Sequence, residues 1–350
     1  MFLSFFKMRE EPFGVTPDPR FLYLTADHQE ALASLYYGIE AKRGFLALIA
    51  KPGMGKTSIL FYLLDKLSTS AHTAFLFQTQ CNSREFMRFL LGELGYEGET
   101  QDFVHMHDEF NKRLLQGART GKRLIVVIDE AQNLQPEVLE TVRLLSDFET
   151  PQAKLMQIIL AGQPELADKL ASPGLAQLLQ RISIVHGLEP LPSWEIKNYV
   201  EHRLRIAGYE GNPLFTAEAY KTIAEFTEGI PRNVNNFCFN ALSLACALRK
   251  RVVDSDVANE VIQDLDIGKL TSSPASEAVG TESRAATAQD VSRETSLPGN
   301  GKEISSPAEA AAYMQEIVFT LKNWRESSDK AVSSARRGPR TPWAAEEEGL

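Results

Sequence analysis

The stretch Ala50-Lys51-Pro52-Gly53-Met54-Gly55-Lys56-Thr57-Ser58 constrains this chain more than any other, because of what flanks it. It follows the apolar run Phe45-Leu46-Ala47-Leu48-Ile49 and leads into Ile59-Leu60-Phe61-Tyr62-Leu63-Leu64. A strand, a glycine-rich turn and a helix in that order form a phosphate-binding P-loop. Glycines let the backbone curl until successive N–H groups point at phosphate oxygens, and the helix that follows presents its positive end. Lys56 is expected to reach the outer phosphates of a nucleoside triphosphate, and the Thr57 hydroxyl to help hold Mg²⁺. Ala50 stands where the motif has its first glycine. A negative φ there tolerates alanine, since only a left-handed backbone demands glycine.

A second segment supplies what phosphate binding alone does not need. Leu124-Ile125-Val126-Val127-Ile128 is a buried-strand pattern that ends in Asp129-Glu130-Ala131-Gln132. It delivers two carboxylates at the carboxyl edge of a sheet, where open α/β folds bind ligands. Asp129 is expected to hold Mg²⁺ through hard oxygen donors, and Glu130 to polarise an attacking water.

Five apolar, often β-branched segments recur at residues 45–50, 73–78, 124–128, 155–161 and 182–186. Continuous runs of this kind signal strands buried on both faces of a mostly parallel sheet. Crossover helices are expected over 58–67, 83–94, 108–120 and 136–148, as parallel connections require. After Leu191-Pro192 the strand signal stops. Helices are expected from Trp194, capped by Ser193, to about Ala207, and from the cap Thr216 to Phe226. Two more are expected over 233–249 and 255–265. The fold class is therefore α/β: a P-loop core over 1–191 with a five-stranded, mostly parallel sheet, then a small α-helical domain over 192–265.

From about Asp266 the chain turns to Ser, Thr, Ala, Glu and Gly, and no aromatic occurs between Phe239 and Tyr313. Such a segment buries too little apolar surface to offset its chain entropy, so 266–350 is expected to be largely disordered. Within it, 307–325 places Tyr313, Ile317, Val318, Leu321 and Trp324 at helical spacing, a candidate amphipathic docking helix.

The chain has 350 residues, 43% of them hydrophobic, and a net charge of −9. That balance suits a globular protein with a sizeable core and argues against a globally basic nucleic-acid coat. Three scattered cysteines make no disulfide framework and suit a reducing compartment. No run approaches the roughly 18 to 20 consecutive apolar residues of a spanning helix. The expectation is a cytoplasmic chain, reaching the inner membrane only peripherally and through a partner. His105-Met106-His107 has no third ligand nearby in sequence and is read as a solvated loop rather than a metal site.

With these residues in view, the chain resembles the AAA+ ATPases, and within them the general secretion pathway protein A, or ExeA-like, group. The resemblance rests on Thr16-Pro17-Asp18-Pro19-Arg20-Phe21-Leu22-Tyr23-Leu24, His28-Gln29-Glu30-Ala31-Leu32, the P-loop, Asp129-Glu130-Ala131-Gln132 and Gly162-Gln163-Pro164-Glu165-Leu166. It continues through Gln180-Arg181-Ile182, Leu188-Glu189-Pro190-Leu191 and Gly229-Ile230-Pro231-Arg232-Asn233, so it covers about residues 1–265. It implies ATP and Mg²⁺ as cofactors, a homo-oligomer, and a helical lid over the nucleotide. It also implies roles for single residues: Gln163 as sensor 1, Arg181 as an arginine finger acting on a neighbouring subunit's ATP, and Arg232 as sensor 2. Residues 13–23 are implied to wrap near the adenine. The implied function is ATP-controlled assembly or remodelling of a protein partner in a bacterial secretion or envelope-export system. A DNA-associated ATPase of the transposition-helper or replication-initiator type is the alternative, and nucleic acid the less favoured partner, because the acidic balance opposes phosphate contacts.

Overall fold

The computed structural model describes residues 2–272, apart from 17, 78, 97, 99–101 and 151–152. The proposed docking helix over 307–325 and all of the tail beyond 272 lie outside the described residues.

Five strands make the sheet: β1 Phe45–Ile49, β2 Ala71–Leu76, β3 Arg123–Ile128, β4 Met156–Gly162 and β5 Ile182–Gly187. Their spatial order is β2-β3-β4-β1-β5, and every ladder is parallel. β4 therefore lies between β1 and β3, although it follows both in the chain. This out-of-order insertion brings the carboxyl ends of β1, β3 and β4 together, and open α/β sheets bind ligands where strand order is broken in this way.

The apolar runs are two interleaved patterns. Leu124, Val126 and Ile128 face one layer with Phe86, Leu90, Phe110 and Val142, while Ile125 and Val127 face the other with Leu35, Ile39, Ile59 and Leu63. Alternate residues of a strand point to opposite faces, so a strand covered on both sides must be apolar throughout. On one side stand α2 Ala26–Glu40 and α3 Lys56–Leu67; on the other, α4 Ser83–Glu93, α5 Phe103–Arg119 and α6 Pro136–Leu145.

Full burial does not extend to the edges. In β5, Ser183, Val185 and Gly187 are exposed, so the expectation that 182–186 is buried on both faces is corrected. An edge strand lacks a neighbour, and α2 packs against only one of its faces. The expected loop at His105-Met106-His107 is corrected as well. α5 starts at Phe103 with Asp102 as its cap, not at residue 108, and Met106 is fully buried. One apolar side chain between two histidines faces the core because it lies on the same helical stripe as Phe110 and Leu114.

Between β4 and β5 come α7 Pro164–Leu170 and α8 Ala176–Leu179, and after β5 the helices α9 Ser193–Ile206, α10 Ala217–Thr227, α11 Pro231–Ala247 and α12 Ser255–Ser272. Thr216 caps α10, its hydroxyl accepting the Ala219 N–H at 3.2 Å. Ser193 is not the cap of α9 but its first residue; Pro192 takes the cap position and supplies no side-chain acceptor. α12 runs on to Ser272, past the expected end at 265.

The helical part recruits the start of the chain. Phe2, Phe6, Met8 and Phe13, from α1 Phe2–Phe6 and the turns after it, bury their side chains with Ile196, Val200 and Phe237 rather than against the sheet. Polar contacts fix the same join: Arg9 N–H donates to the Ala207 carbonyl at 2.8 Å, and Arg203 Nε to that of Pro12 at 2.6 Å. A division at residue 191 by sequence order alone thus separates residues 2–13 from the helices they pack with.

Candidate nucleotide site

The loop after β1 takes its shape from two glycines. Gly53 and Gly55 have φ of 81° and 89°, a left-handed conformation that side chains disfavour. Ala50 is not among the positive-φ residues, and its N–H donates to the Gly162 carbonyl at 3.0 Å, extending the β1–β4 ladder. The first motif position therefore asks nothing of glycine here.

Lys56, at the start of α3, is 4% exposed and folds back over its own loop. Its Nζ donates to the carbonyls of Ala50 at 2.8 Å and Lys51 at 3.3 Å. Burial lowers its pKa, with Glu130 and Asp129 nearby acting the other way. Such a cation is bonded to neutral carbonyls only, which leaves its charge for an anionic ligand.

Thr57 Oγ1 donates to Asp129 Oδ2 at 2.6 Å, joining the helix after β1 to the end of β3. Asp129 is 3% exposed, and burial raises its pKa against the lowering effect of the Thr57 hydroxyl and the Glu130 N–H. A buried carboxylate beside a hydroxyl is a hard oxygen pair, which fits Mg²⁺ better than a soft metal. Among the described residues no cluster of three or more His, Cys, Asp or Glu forms a metal cage, so phosphate and water would complete the coordination.

Glu130 adopts the left-handed conformation, with φ 52° and ψ 38°. Its Oε2 accepts from Gln132 Nε2 at 2.6 Å and from Gln163 Nε2 at 3.0 Å. Burial alone would raise its pKa, but those two amides, with Lys56 and Arg232 nearby, hold it below the ordinary value. Gln163 follows β4 directly and caps α7, which places it between the loops that end β1 and β3.

A cleft of about 360 Å³ opens in front of these groups, lined by Pro52 to Ser58, Glu130 and Gln163 on the sheet side. The helical part closes it with Arg232 and Arg203, and the segment from Gly14 to Tyr23 forms a third wall. Arg232 is held by its main chain: its N–H donates to the Gly53 carbonyl at 3.1 Å. A Cβ on Gly53 would lie 2.6 Å from Arg232 Cβ, so a glycine is needed for that approach. Lys51 and Ala50 meet the cleft only through the carbonyls that receive Lys56.

Arg181 is not in the cleft. It lies between α8 and β5, paired with Asp147, its Nη1 also donating to Ser146 Oγ at 3.1 Å. Two cleft groups and one residue behind the cleft escape a linear reading. His28 on α2 is buried, with Nδ1 2.9 Å from Thr25 Oγ1 and Nε2 3.3 Å from the Met54 carbonyl. Arg203 stacks over Phe21 at 5.0 Å. Gln132 stands behind Glu130. The contacts of His28 with Met54, of Gln132 with Gln163 and of Arg203 with Phe21 run across the fold, while the Thr25–His28 and Glu130–Gln132 bonds are local.

Residues 39–170 match the AAA domain family. Over 261 residues the chain is 38% identical to General secretion pathway protein A of Aeromonas hydrophila, covering 74% of this chain and 47% of that protein. The chain carries an AAA domain and is similar to the ExeA-like group. It spans about half the length of the curated relatives it matches or less, since a 30% identical match to Uncharacterized HTH-type transcriptional regulator MJ0774 of Methanocaldococcus jannaschii covers 42% of this chain and 36% of that one. Among solved structures, the Aeropyrum pernix ORC2 protein superposes with a TM-score of 0.59 at 16% identity, over 73% of this chain and 72% of that one. That likeness shows the fold. No described helix of this AAA+ chain is long and apolar enough to cross a membrane.

Proposed function

We propose that this AAA+ chain hydrolyses ATP with Mg²⁺ and uses the nucleotide state to drive assembly or remodelling of a protein partner in a bacterial secretion or envelope-export system. The hydrolytic reading rests on one observation above all: Thr57, Asp129, Glu130 and Gln163 converge at the ends of three adjacent strands, in front of a buried lysine. Lys56 exchanges its carbonyl partners for the outer phosphates. Thr57 and Asp129 hold Mg²⁺, which when bound neutralises charge on the phosphate oxygens. Glu130 orients and polarises the attacking water, and Gln163 keeps that carboxylate and the water in register. Arg232 draws the helical lid, residues 192–265, onto the nucleotide.

Arg181 acts on a neighbouring subunit's ATP, which makes the working form a homo-oligomer. The secretion assignment draws on the name of the 38% identical relative, General secretion pathway protein A. In this reading the chain is cytoplasmic and meets the inner membrane through its partner, with the segment 266–350 available for docking. A DNA-associated role is the second reading, supported by the match to a chain named as an HTH-type regulator and opposed by the net charge of −9.

The test is steady-state ATPase activity with and without Mg²⁺. Lys56→Ala is expected to lose nucleotide binding and turnover together, whereas Glu130→Gln keeps binding and loses turnover by about 10²- to 10⁴-fold. Undiminished turnover in both variants overturns the site. ATP-dependent retention on DNA that falls steeply with salt would favour the second reading.

A further inference from the structure

The cage around Glu130 contains one residue that the proposed chemistry does not use. Gln132 sits in the short turn Ala131–Asn133 after β3 and does not line the cleft. Its side chain nevertheless makes two directed bonds. Nε2 donates to Glu130 Oε2 at 2.6 Å, and Oε1 accepts the main-chain N–H of Gln163 at 3.2 Å. One planar amide thus bridges the Glu130 carboxylate and the end of β4. The Gln163 amide closes the circuit by donating to the same Oε2 at 3.0 Å.

Three further features hold Gln132 in that position. Gly162, the last residue of β4, leaves the space it occupies: a Cβ there would lie 2.7 Å from Gln132 Oε1. Lys169 on α7 donates to the Gln132 carbonyl and, at 2.8 Å, to that of Leu134, clamping the turn from outside. Glu130 itself is in the left-handed region, a costly conformation for a residue with a side chain, so the turn is over-determined by its surroundings. A carboxylate on a flexible stem samples several rotamers unless neighbours restrict it, and misplacement of a reacting group by about 1 Å costs on the order of 10²-fold in rate.

We propose that Gln132 is the positioning residue for Glu130: it occupies Oε2, fixes the carboxylate against the end of β4, and leaves Oε1 to address the water. It touches neither nucleotide nor water and acts only through Glu130. This inference rests on Glu130 being the hydrolytic carboxylate.

The experiment compares the full chain with Gln132→Met, which keeps the volume and removes both hydrogen bonds, in the native and Glu130→Gln backgrounds. In the native background kcat is expected to fall about tenfold while KM and fluorescent ATP-analogue affinity change by less than about twofold. In the Glu130→Gln background the same substitution is expected to change single-turnover hydrolysis by less than about twofold, because the group it positions is already gone. An equal loss in both backgrounds, a loss of affinity parallel to kcat, or no loss at all overturns the positioning role. The two readings fail differently: full turnover in Glu130→Gln removes the hydrolytic carboxylate and this role with it, whereas an inactive Glu130→Gln beside an unaffected Gln132→Met removes only this role.

Discussion

In the nucleotide cleft the cation is buried and bonded to carbonyls alone; around Arg181 every charge already has an opposite. Lys56 is 4% exposed and donates to Ala50 and Lys51, whereas Arg181 pairs with Asp147 while Arg143 pairs with Glu140 at 2.7 Å and with Asp147 at 3.5 Å. The Arg181 side chain is 30% exposed and its Asp147 partner 46%. A buried cation with carboxylates nearby but none in contact is poised for an anion, and a half-exposed matched pair is at rest. The first site gathers Lys56, Thr57, Asp129, Glu130 and Gln163 from one chain. The second has the features of a residue parked until another molecule offers something better than Asp147.

The largest expected effect tests that contrast directly. If Arg181 works across a subunit boundary, Arg181→Ala lowers turnover by about 10³-fold with nucleotide affinity unchanged. Mixing Arg181→Ala with Glu130→Gln subunits then restores part of the activity, measured as ATPase rate against mixing ratio. No recovery at any ratio places Arg181 outside a shared site.

A smaller effect separates the cleft by pH. Burial, ahead of the opposing Met54 carbonyl and Asp27 charge, lowers the pKa of His28 below its ordinary 6.5. The folded chain then refuses a proton that the unfolded chain accepts, so the contribution of His28 to stability is present above 6.5 and is lost as pH falls through the folded value. Thermal unfolding between about pH 7.5 and 5 should show the native chain losing more stability on acidification than His28→Gln. An identical slope in the two proteins would show that His28 titrates alike folded and unfolded.

The smallest effect belongs to the pair that looks strongest on the surface. Asp147→Asn removes the counter-charge of Arg181, yet exposed pairs contribute about 0–1 kcal/mol, so the unfolding midpoint should move by no more than a few degrees. A large drop would mean that Asp147 holds α6, α8 and β5 together and that Arg181 is structural.

The contrast also explains what the sequence disclosed. The P-loop and Asp129-Glu130 are local patterns, each complete within a few residues of one strand end, so their composition alone implied their chemistry. The central strands were legible because burial on both faces leaves no polar position in Leu124 to Ile128. β5 was overread, since an edge strand and a central strand share the same apolar bias and differ only in what flanks them. The start of α5 was hidden by two histidines around Met106, and Ser193 looked like a cap although Pro192 occupies that place. Gln132, His28 and Arg203 owe their positions to chain segments far away in sequence, as does the packing of Phe2 and Phe6 among the lid helices. No window of neighbouring residues contains that information.

The bond from the Arg232 N–H to the Gly53 carbonyl has a practical consequence. It ties the first turn of α11 to the phosphate loop by main chain alone, so truncating the Arg232 side chain leaves it intact. An alanine scan of the charged residues would credit Arg232 with whatever its guanidinium does and pass over the latch beneath it. The one position where ordinary mutagenesis reaches this latch is Gly53, where a single methyl would push the lid off the loop.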